Sequence, residues 1–415
     1  MNIRPLGHLT ITDQALDGSN GLNRAAPNPS DPVSNTDIEV TRAFLNEHKA
    51  TPTTARNYTK ETERLLLWAI NVKGKPMSSL ASGDISEFLD FLIDPLPHEV
   101  WVSAKKLPRD SSGWRPFVMA KKTVKKGKKE IVVESAGLSV SSRLFAMAAI
   151  GSYLAWLVDH GYLIKNPMRQ LKTKRKEIRN SEPKLKDEKV ERYLDEDMWA
   201  AFLEAINEMP KKTDADMEKF ERAVFLSALM FFLAPRVSEL SAGRMGHFKL
   251  DGKQWWWKVI GKGRIAAEIP VPNDMIKALI RYRTFLGLSP LPISTDESPL
   301  LPSTRGKETL SIKPRQINNI LTDLFEAAAK LIETKALALD QADVLRLAEF
   351  KHKAEQLRHA SAHWGRHTSI TFMIRSGVDK SLVMKNARHG DSRTTDRYIH
   401  EDNDRWYAEA QKLKK

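Results

Sequence analysis

The chain has 415 residues, enough for two or three domains each with its own core. Apolar residues make up 41% and charged residues 28%, the mixture of a globular protein rather than a disordered one. The absence of cysteine excludes disulfides, zinc fingers and thiol catalysis, and a net charge of +14 points to a polyanionic partner, because clustered Lys and Arg release counterions from phosphates. No apolar run approaches the roughly 20 residues that span a bilayer. The opening MNIRPLGHLTITDQ lacks a basic stretch followed by an apolar one, so the expectation is a cytoplasmic protein with no membrane partner.

Residues 1–36 are rich in Asn, Asp, Pro, Ser and Gly and read as a flexible tail. Helical periodicity begins at Asp37, with Val40, Phe44 and Leu45 on one face. A second helix follows Thr53 or Thr54 as N-cap and carries Tyr58, Leu65, Leu66 and Trp68; a third starts near Asp84 with Ile85, Phe88, Leu89, Phe91 and Leu92. Residues 94–137 break the pattern with four prolines, two tryptophans and the run K-K-T-V-K-K-G-K-K, which reads as an inserted arm or hairpin outside the core. Helical spacing resumes from Ser139 to Leu157 and stops by Asn166-Pro167, giving a four-helix domain over 37–170.

The strongly basic stretch 171–190 has almost no core-forming residues and reads as a linker. Beyond it, over 191–415, helices are expected at 195–208, 216–233, 273–286 and 314–332, with a long helical segment from about 328 to 356. The run W-W-W-K-V-I-G-K-G-R-I-A-A-E-I-P-V reads as a hairpin turning at Gly261–Gly263. This second domain is therefore mostly helical with one small antiparallel sheet.

Neither G-x-x-x-x-G-K-[ST], G-x-G-x-x-G nor H-E-x-x-H occurs, so no cofactor, ATP, dinucleotide or catalytic metal is expected. The chemistry-bearing residues are cations and one phenol. Arg236, in F-F-L-A-P-R-V-S-E-L, falls at the start of a helix, where a guanidinium can fork onto phosphate oxygens. Lys262 sits at the tip of V-I-G-K-G-R between glycines that permit close approach to a backbone. His363 and Arg366 lie three apart in H-W-G-R, and A-R-H-G-D-S-R-T-T-D-R-Y places His389 nine residues before Tyr398. Taken singly each has an ordinary explanation: a surface cap, a turn lysine, a chance pair, a packing tyrosine.

In this order, Arg236, Lys262, His363, Arg366, His389 and Tyr398 resemble the signature of the tyrosine recombinase, or phage-integrase, family: Arg in an R-x-S-E-L segment, Lys in a G-K-G hairpin, H-x-x-R, a second His, and Tyr nine residues on. T-P-T-T-A-R-N-Y and S-V-S-S-R-L-F-A-M-A-A-I-G-S-Y-L resemble the family's helical core-binding domain, so the resemblance covers nearly the whole chain. It implies a mainly α protein: a SAM-like core-binding domain followed by a mostly helical catalytic domain with a small sheet and a C-terminal helix. Three departures stand out: the 94–137 insertion, the 328–356 segment, and Gly365 where the family usually has Leu, a change expected to loosen helix packing. A type IB topoisomerase and a catalytically inactive DNA-binding protein of the same fold are the alternative readings.

Breaking a phosphodiester without metal requires neutralising the charge of the pentacoordinate phosphorus, supplying a nucleophile and protonating the departing oxygen. Arg236 and Arg366 suit the first task because a planar guanidinium grips two oxygens. Tyr398, with an ordinary pKa near 10, needs an acceptor, which His389 or His363 supplies. The resemblance implies that Lys262 is the general acid, attack by Tyr398 would leave a 3′-phosphotyrosyl link, and Glu239, three residues after Arg236, reads either as an acceptor that orients the site or as a surface Glu paired with a nearby Arg. It also implies double-stranded DNA recombination sites as partners, gripped on opposite faces by the two domains, and self-association into a tetramer. Arg56, Lys60, Arg143, Lys172, Lys174, Arg175 and Arg264 are candidate DNA contacts, chiefly to phosphate.

Overall fold

Thr36 opens the first helix with a reciprocal cap: its hydroxyl accepts from the Glu39 N–H at 3.3 Å, and the Glu39 carboxylate accepts from the Thr36 N–H at 3.2 Å. The computed structural model describes residues 3–25, 35–126, 129–181, 192–260, 266–303, 310–340 and 343–388, and it divides into two compact units, Met1–Glu188 and Lys189–Lys415. Both are mainly helical.

The first unit contains α1 (Asp37–Glu47), α2 (Pro52–Trp68), α3 (Ser82–Phe91), the short α4 (His98–Trp101), α5 (Val140–Asp159) and α6 (Lys172–Asn180). α2 starts earlier than the capping threonines suggest, at Thr51, because Pro52 presets the helical φ and lacks the N–H that a first turn leaves unpaired. Phe44, Leu66, Trp68, Phe88, Ile150, Tyr153 and Leu157 form its core. α5 corrects one expectation: it is long and apolar enough to cross a membrane by length and composition, yet Ile150, Tyr153, Leu154 and Leu157 are buried in this core.

Residues 3–25 are not a loose tail. Leu6 and Leu9 are buried in the helical core, and the backbone is tied down by Asn23 N–H to Ser78 O at 3.0 Å and Ala25 N–H to Tyr162 O at 3.1 Å. Leu6 is further held by its N–H donating to Glu63 of α2 at 2.5 Å and its carbonyl accepting from Arg42 of α1 at 3.0 Å. The 94–137 insertion is likewise partly core: Trp101, Trp114 and Phe117 are buried, and the Arg64 guanidinium donates to Pro116 O at 2.9 and 3.1 Å while lying over the Phe117 ring. Within it, β1 (Val102–Ser103) pairs in parallel with β2 (Phe117–Val118), and β3 (Ala120–Lys126) pairs antiparallel with β4 (Lys129–Ser135). The stretch read as a linker begins with α6, held by buried Ile178; residues 182–191 lie outside the described set.

The second unit contains α7 (Glu196–Asn207), α8 (Asp214–Leu233), α9 (Val237–Ala242), a sheet of β5 (Phe248–Asp251), β6 (Gln254–Ile260) and β7 (Ala266–Pro270), then α10 (Asn273–Phe285), α11 (Pro314–Leu337), α12 (Val344–His359), α13 (Ala362–Arg375) and α14 (Lys380–Ala387). The hairpin has gained a third strand, in the order β5-β6-β7, with Trp257 opposite both Phe248 and Ile269 in the register and fully buried. The segment 328–356 is two helices rather than one, and Arg358 of α12 clamps Glu333 of α11 at 2.6 and 2.7 Å.

Asp37 anchors the N-terminal segment. Its carboxylate, fully buried, accepts from Tyr162 Oη at 2.8 Å and Ser78 N–H at 3.1 Å, and its own N–H donates to Asp17 O at 2.8 Å. Gly18 (φ 89°) leaves room for it, since a Cβ there would lie 2.3 Å from Asp37 Cγ. Burial pushes this carboxyl up to about 6, the hydrogen bonds from Tyr162 and Ser78 opposing the shift. The folded state thus holds the proton more tightly than the unfolded one, so this group's contribution to stability is greatest below pH 3.8 and declines as pH rises through 6. Wild type compared with Asp37→Asn should lose relative stability between pH 4 and 7, by on the order of 3 kcal/mol, in urea titrations of the full chain. A pH-independent difference would contradict this account.

Candidate active site

The C-terminus of α8, the N-terminus of α9, the first turns of α13 and the end of α14 bring four charged groups together. α8 ends at Ala234 in the left-handed region (φ 44°), which is unfavourable for a residue with a Cβ by about 1 kcal/mol. That turn aims the Ala234 carbonyl at α13 and α14, where it accepts from Arg366 Nη1 and from Arg388 Nη2 at 2.9 Å. Pro235 follows, and Arg236 is the N-cap of α9.

Glu239, one turn into α9 and 4% exposed, is the organising acid. Its Oε2 accepts from the Arg236 N–H at 2.7 Å and from Arg388 Nη2 at 2.7 Å, and its Oε1 accepts from Arg236 Nη1 at 2.9 Å. Arg236 also donates through Nη2 to the Arg388 carbonyl at 3.3 Å, while its side chain remains one-third exposed. Arg366 is more enclosed, 3% exposed, with Nη2 donating to the Ala387 carbonyl. The two arginines of the signature thus share a junction but differ in access: Arg236 faces solvent and Arg366 braces the helix ends.

His363 stands in the first turn of α13, its ring edge-on to His367 with centroids 4.4 Å apart. Partial shielding, followed by the positive charges of Arg366, Arg236 and Arg192, holds its imidazole below the ordinary value, so it is neutral at pH 7 and able to accept a proton. Lys262, Arg264, His389 and Tyr398 lie outside the described residues, as does the C-terminal helix. Among the described residues no group of three or more His, Asp or Glu is placed to hold a metal ion.

Sequence reasoning missed two participants. Arg192 adds to the field at His363 from just before α7, and Arg388 joins Glu239 to Ala234; neither belongs to a recognisable spacing, and Arg388 is marked only by preceding His389. Among the candidate DNA contacts of the first unit, Arg56, Lys60, Lys172 and Arg175 are exposed. Lys174 is paired with Asp90 at 2.7 Å. Arg143 must be withdrawn: it is 6% exposed and donates to Ser181 Oγ at 2.8 Å, tying α5 to the end of α6.

Gly365 does not loosen α13. A Cβ there would lie 1.9 Å from Met230 Cε of α8, so the methionine already fills the volume that a larger residue would take. Gly365→Leu should destabilise the chain by about 1–3 kcal/mol through overpacking, and adding Met230→Ala should recover part of the loss in thermal melts. A double variant no more stable than Gly365→Leu alone would break the link between these two residues.

A model of the phage integrase family matches residues 192–405, more than half of the chain. Tyrosine recombinase XerC of Salmonella typhi is 24% identical over 266 residues, 64% of this chain and 71% of that protein. XerC of Xanthomonas campestris pv. campestris (strain B100) is 26% identical over 64% of this chain and 66% of its own length. XerC of Neisseria meningitidis serogroup C (strain 053442) is 22% identical over 75% of this chain and 86% of its own. The fold is that of XerH site-specific recombinase bound to palindromic difH substrate in a post-cleavage complex (TM-score 0.55, 12% identity, 90% of this chain and 84% of that one). It is also that of the Tn1549 transposon integrase in complex with transposon right-end DNA (TM-score 0.50, 14% identity, 90% and 98%). The chain belongs to the phage integrase family of tyrosine recombinases.

Proposed function

We propose that the protein is a site-specific DNA recombinase that cuts and rejoins double-stranded DNA through a 3′-phosphotyrosyl intermediate at Tyr398, without metal or nucleotide. The observation that carries this reading is the cationic junction of Arg236, Arg366 and Arg388 around a single buried carboxylate, beside a neutral histidine. Three guanidinium groups against one Glu leave a surplus of positive charge where a phosphate would sit. That is what a developing phosphorane dianion needs and what Tyr398 needs to give up its proton.

In the forward step the Tyr398 oxygen bonds to phosphorus, its proton passing to His363 or His389, and the bond to the 5′ oxygen breaks as Lys262 supplies a proton to it. Arg236, with its one-third-exposed guanidinium, grips the non-bridging oxygens, and the buried Arg366 adds positive charge. The covalent phosphotyrosine conserves bond energy, and attack by a 5′ hydroxyl reverses the sequence on a new strand. Exposed Arg56 and Lys60, one turn apart on α2, and Lys172 and Arg175 on α6 would hold phosphates of the duplex. The relatives whose structures hold DNA support a DNA partner for this chain.

Incubation with a nicked suicide duplex bearing the cognate site should trap a covalent adduct on a denaturing gel for wild type and none for Tyr398→Phe. An adduct in the variant would remove Tyr398 from its role, and site-independent relaxation of any supercoiled plasmid would point to a topoisomerase instead. We further propose that the protein acts as a tetramer on two DNA sites, with the segment after Tyr398 docking on a neighbouring protomer. Deleting residues from Asp404 onward should spare DNA binding by the monomer and impair recombination; unchanged recombination would exclude docking in trans.

A further inference from the structure

We propose that Arg388 is a positioning residue of this reaction, setting the orientation and free charge of Arg236 through their shared partner Glu239. The inference rests on the reading above and extends it to a residue outside the family signature.

Arg388 sits at the end of α14 under three unfavourable conditions at once. Its backbone is left-handed (φ 52°), a conformation that suits glycine. Its guanidinium is 7% exposed, and burial weakens its hold on the proton. Its Nε–H is buried without a hydrogen-bond partner. A glycine would fit the backbone with none of these penalties. What the side chain gains is two contacts at the junction, Nη2 to Glu239 Oε2 at 2.7 Å and to the Ala234 carbonyl at 2.9 Å, while Nη1 donates locally to the Asn386 carbonyl at 2.9 Å. Its own carbonyl receives Arg236 Nη2 at 3.3 Å.

The charge arithmetic gives these contacts a purpose. With Arg388 present, Glu239 divides its two oxygens between two guanidinium groups, and Arg236 is held by one of them without being neutralised. Without Arg388, the carboxylate has Arg236 as its one remaining side-chain partner among these contacts. A fork of two parallel hydrogen bonds between them would turn the arginine away from phosphate and cancel its charge. Arg388 therefore keeps Arg236 aimed outward and keeps the junction cationic. It is also the residue from which the chain proceeds to His389 and Tyr398.

The test measures single-turnover adduct formation on the nicked suicide duplex, with DNA affinity followed separately by fluorescence anisotropy. Arg388→Gly, matched to the left-handed backbone, should slow adduct formation by on the order of tenfold to a hundredfold with affinity changed less than about twofold. Arg388→Asn, which also tolerates this backbone, should do the same, and Arg388→Lys should recover part of the rate by restoring the charge. Adding Glu239→Gln to Arg388→Gly removes the carboxylate that would capture Arg236, so the double variant should react faster than Arg388→Gly alone. A residue serving only stability would give losses that add. Arg388→Gly and Arg388→Asn reacting at the wild-type rate, or a double variant slower than Arg388→Gly, would overturn the positioning role while leaving the recombinase reading intact. A wild type that forms no Tyr398-dependent adduct overturns that reading and this one together.

Discussion

A carboxylate removed from water is tolerable only when its charge is balanced nearby, and Glu239 meets that condition by accepting three hydrogen bonds of 2.7–2.9 Å from two arginines and a helix-terminal N–H. Everything else at the junction follows from that balance. α9 cannot shift without moving Glu239, loss of α14 removes one of its two arginine partners, and α13 is tied to the same place through Arg366 and the Ala234 carbonyl. The left-handed turn at Ala234 is the geometric counterpart: its unfavourable backbone is offset by the two guanidinium groups that its carbonyl receives. The same few side chains thus hold the helix ends together and leave an excess of cations over anions, an incompletely neutralised remainder of that network.

The hydrophobic periodicity of α10, α11 and the hairpin strands was readable because each buries one face against a single core, and a buried face imposes its period on the residues. The Arg236 position at a helix start was readable for a similarly local reason: an apolar run followed by proline ends one helix and opens another. What was not readable depended on partners distant in sequence. Leu6 and Leu9 look like isolated apolar residues in a polar stretch until the helical core of the first unit receives them. Trp101, Trp114 and Phe117 sit among prolines and basic residues, and their burial becomes intelligible once Arg64 is seen to cap the Pro116 carbonyl. Arg143 has the spacing of a surface cation on α5, but Ser181 beyond α6 covers it.

The same distinction holds at the site. Order and interval singled out Arg236, His363 and Arg366, which the fold brings near one another, because a spacing is a property of the sequence. Arg388 and Arg192 act through space on residues more than 100 positions away, Glu239 for one and His363 for the other, so nothing in their own neighbourhood announces them. Gly365 shows the converse: a substitution that looks like a loss when read alone is compensated by a methionine 135 positions earlier, with 365 − 230 giving that separation. Compensation of this kind is a property of pairs and is visible only when both members are placed.

The bonds that tie the N-terminal segment down have a consequence for the order in which the chain acquires structure. Asp37 is joined to Tyr162 across 125 residues, and Asn23 is joined to Lys165 across 142. During synthesis, residues 3–25 therefore leave the ribosome long before Tyr162 and Lys165 exist, and these two bonds close after α5 and the turn that follows it have emerged. The first unit is closed by its two ends meeting, and the basic α6, whose Ile178 belongs to the same core, is translated just after the turn that completes these bonds. This basic helix and the scaffold that carries it are completed together.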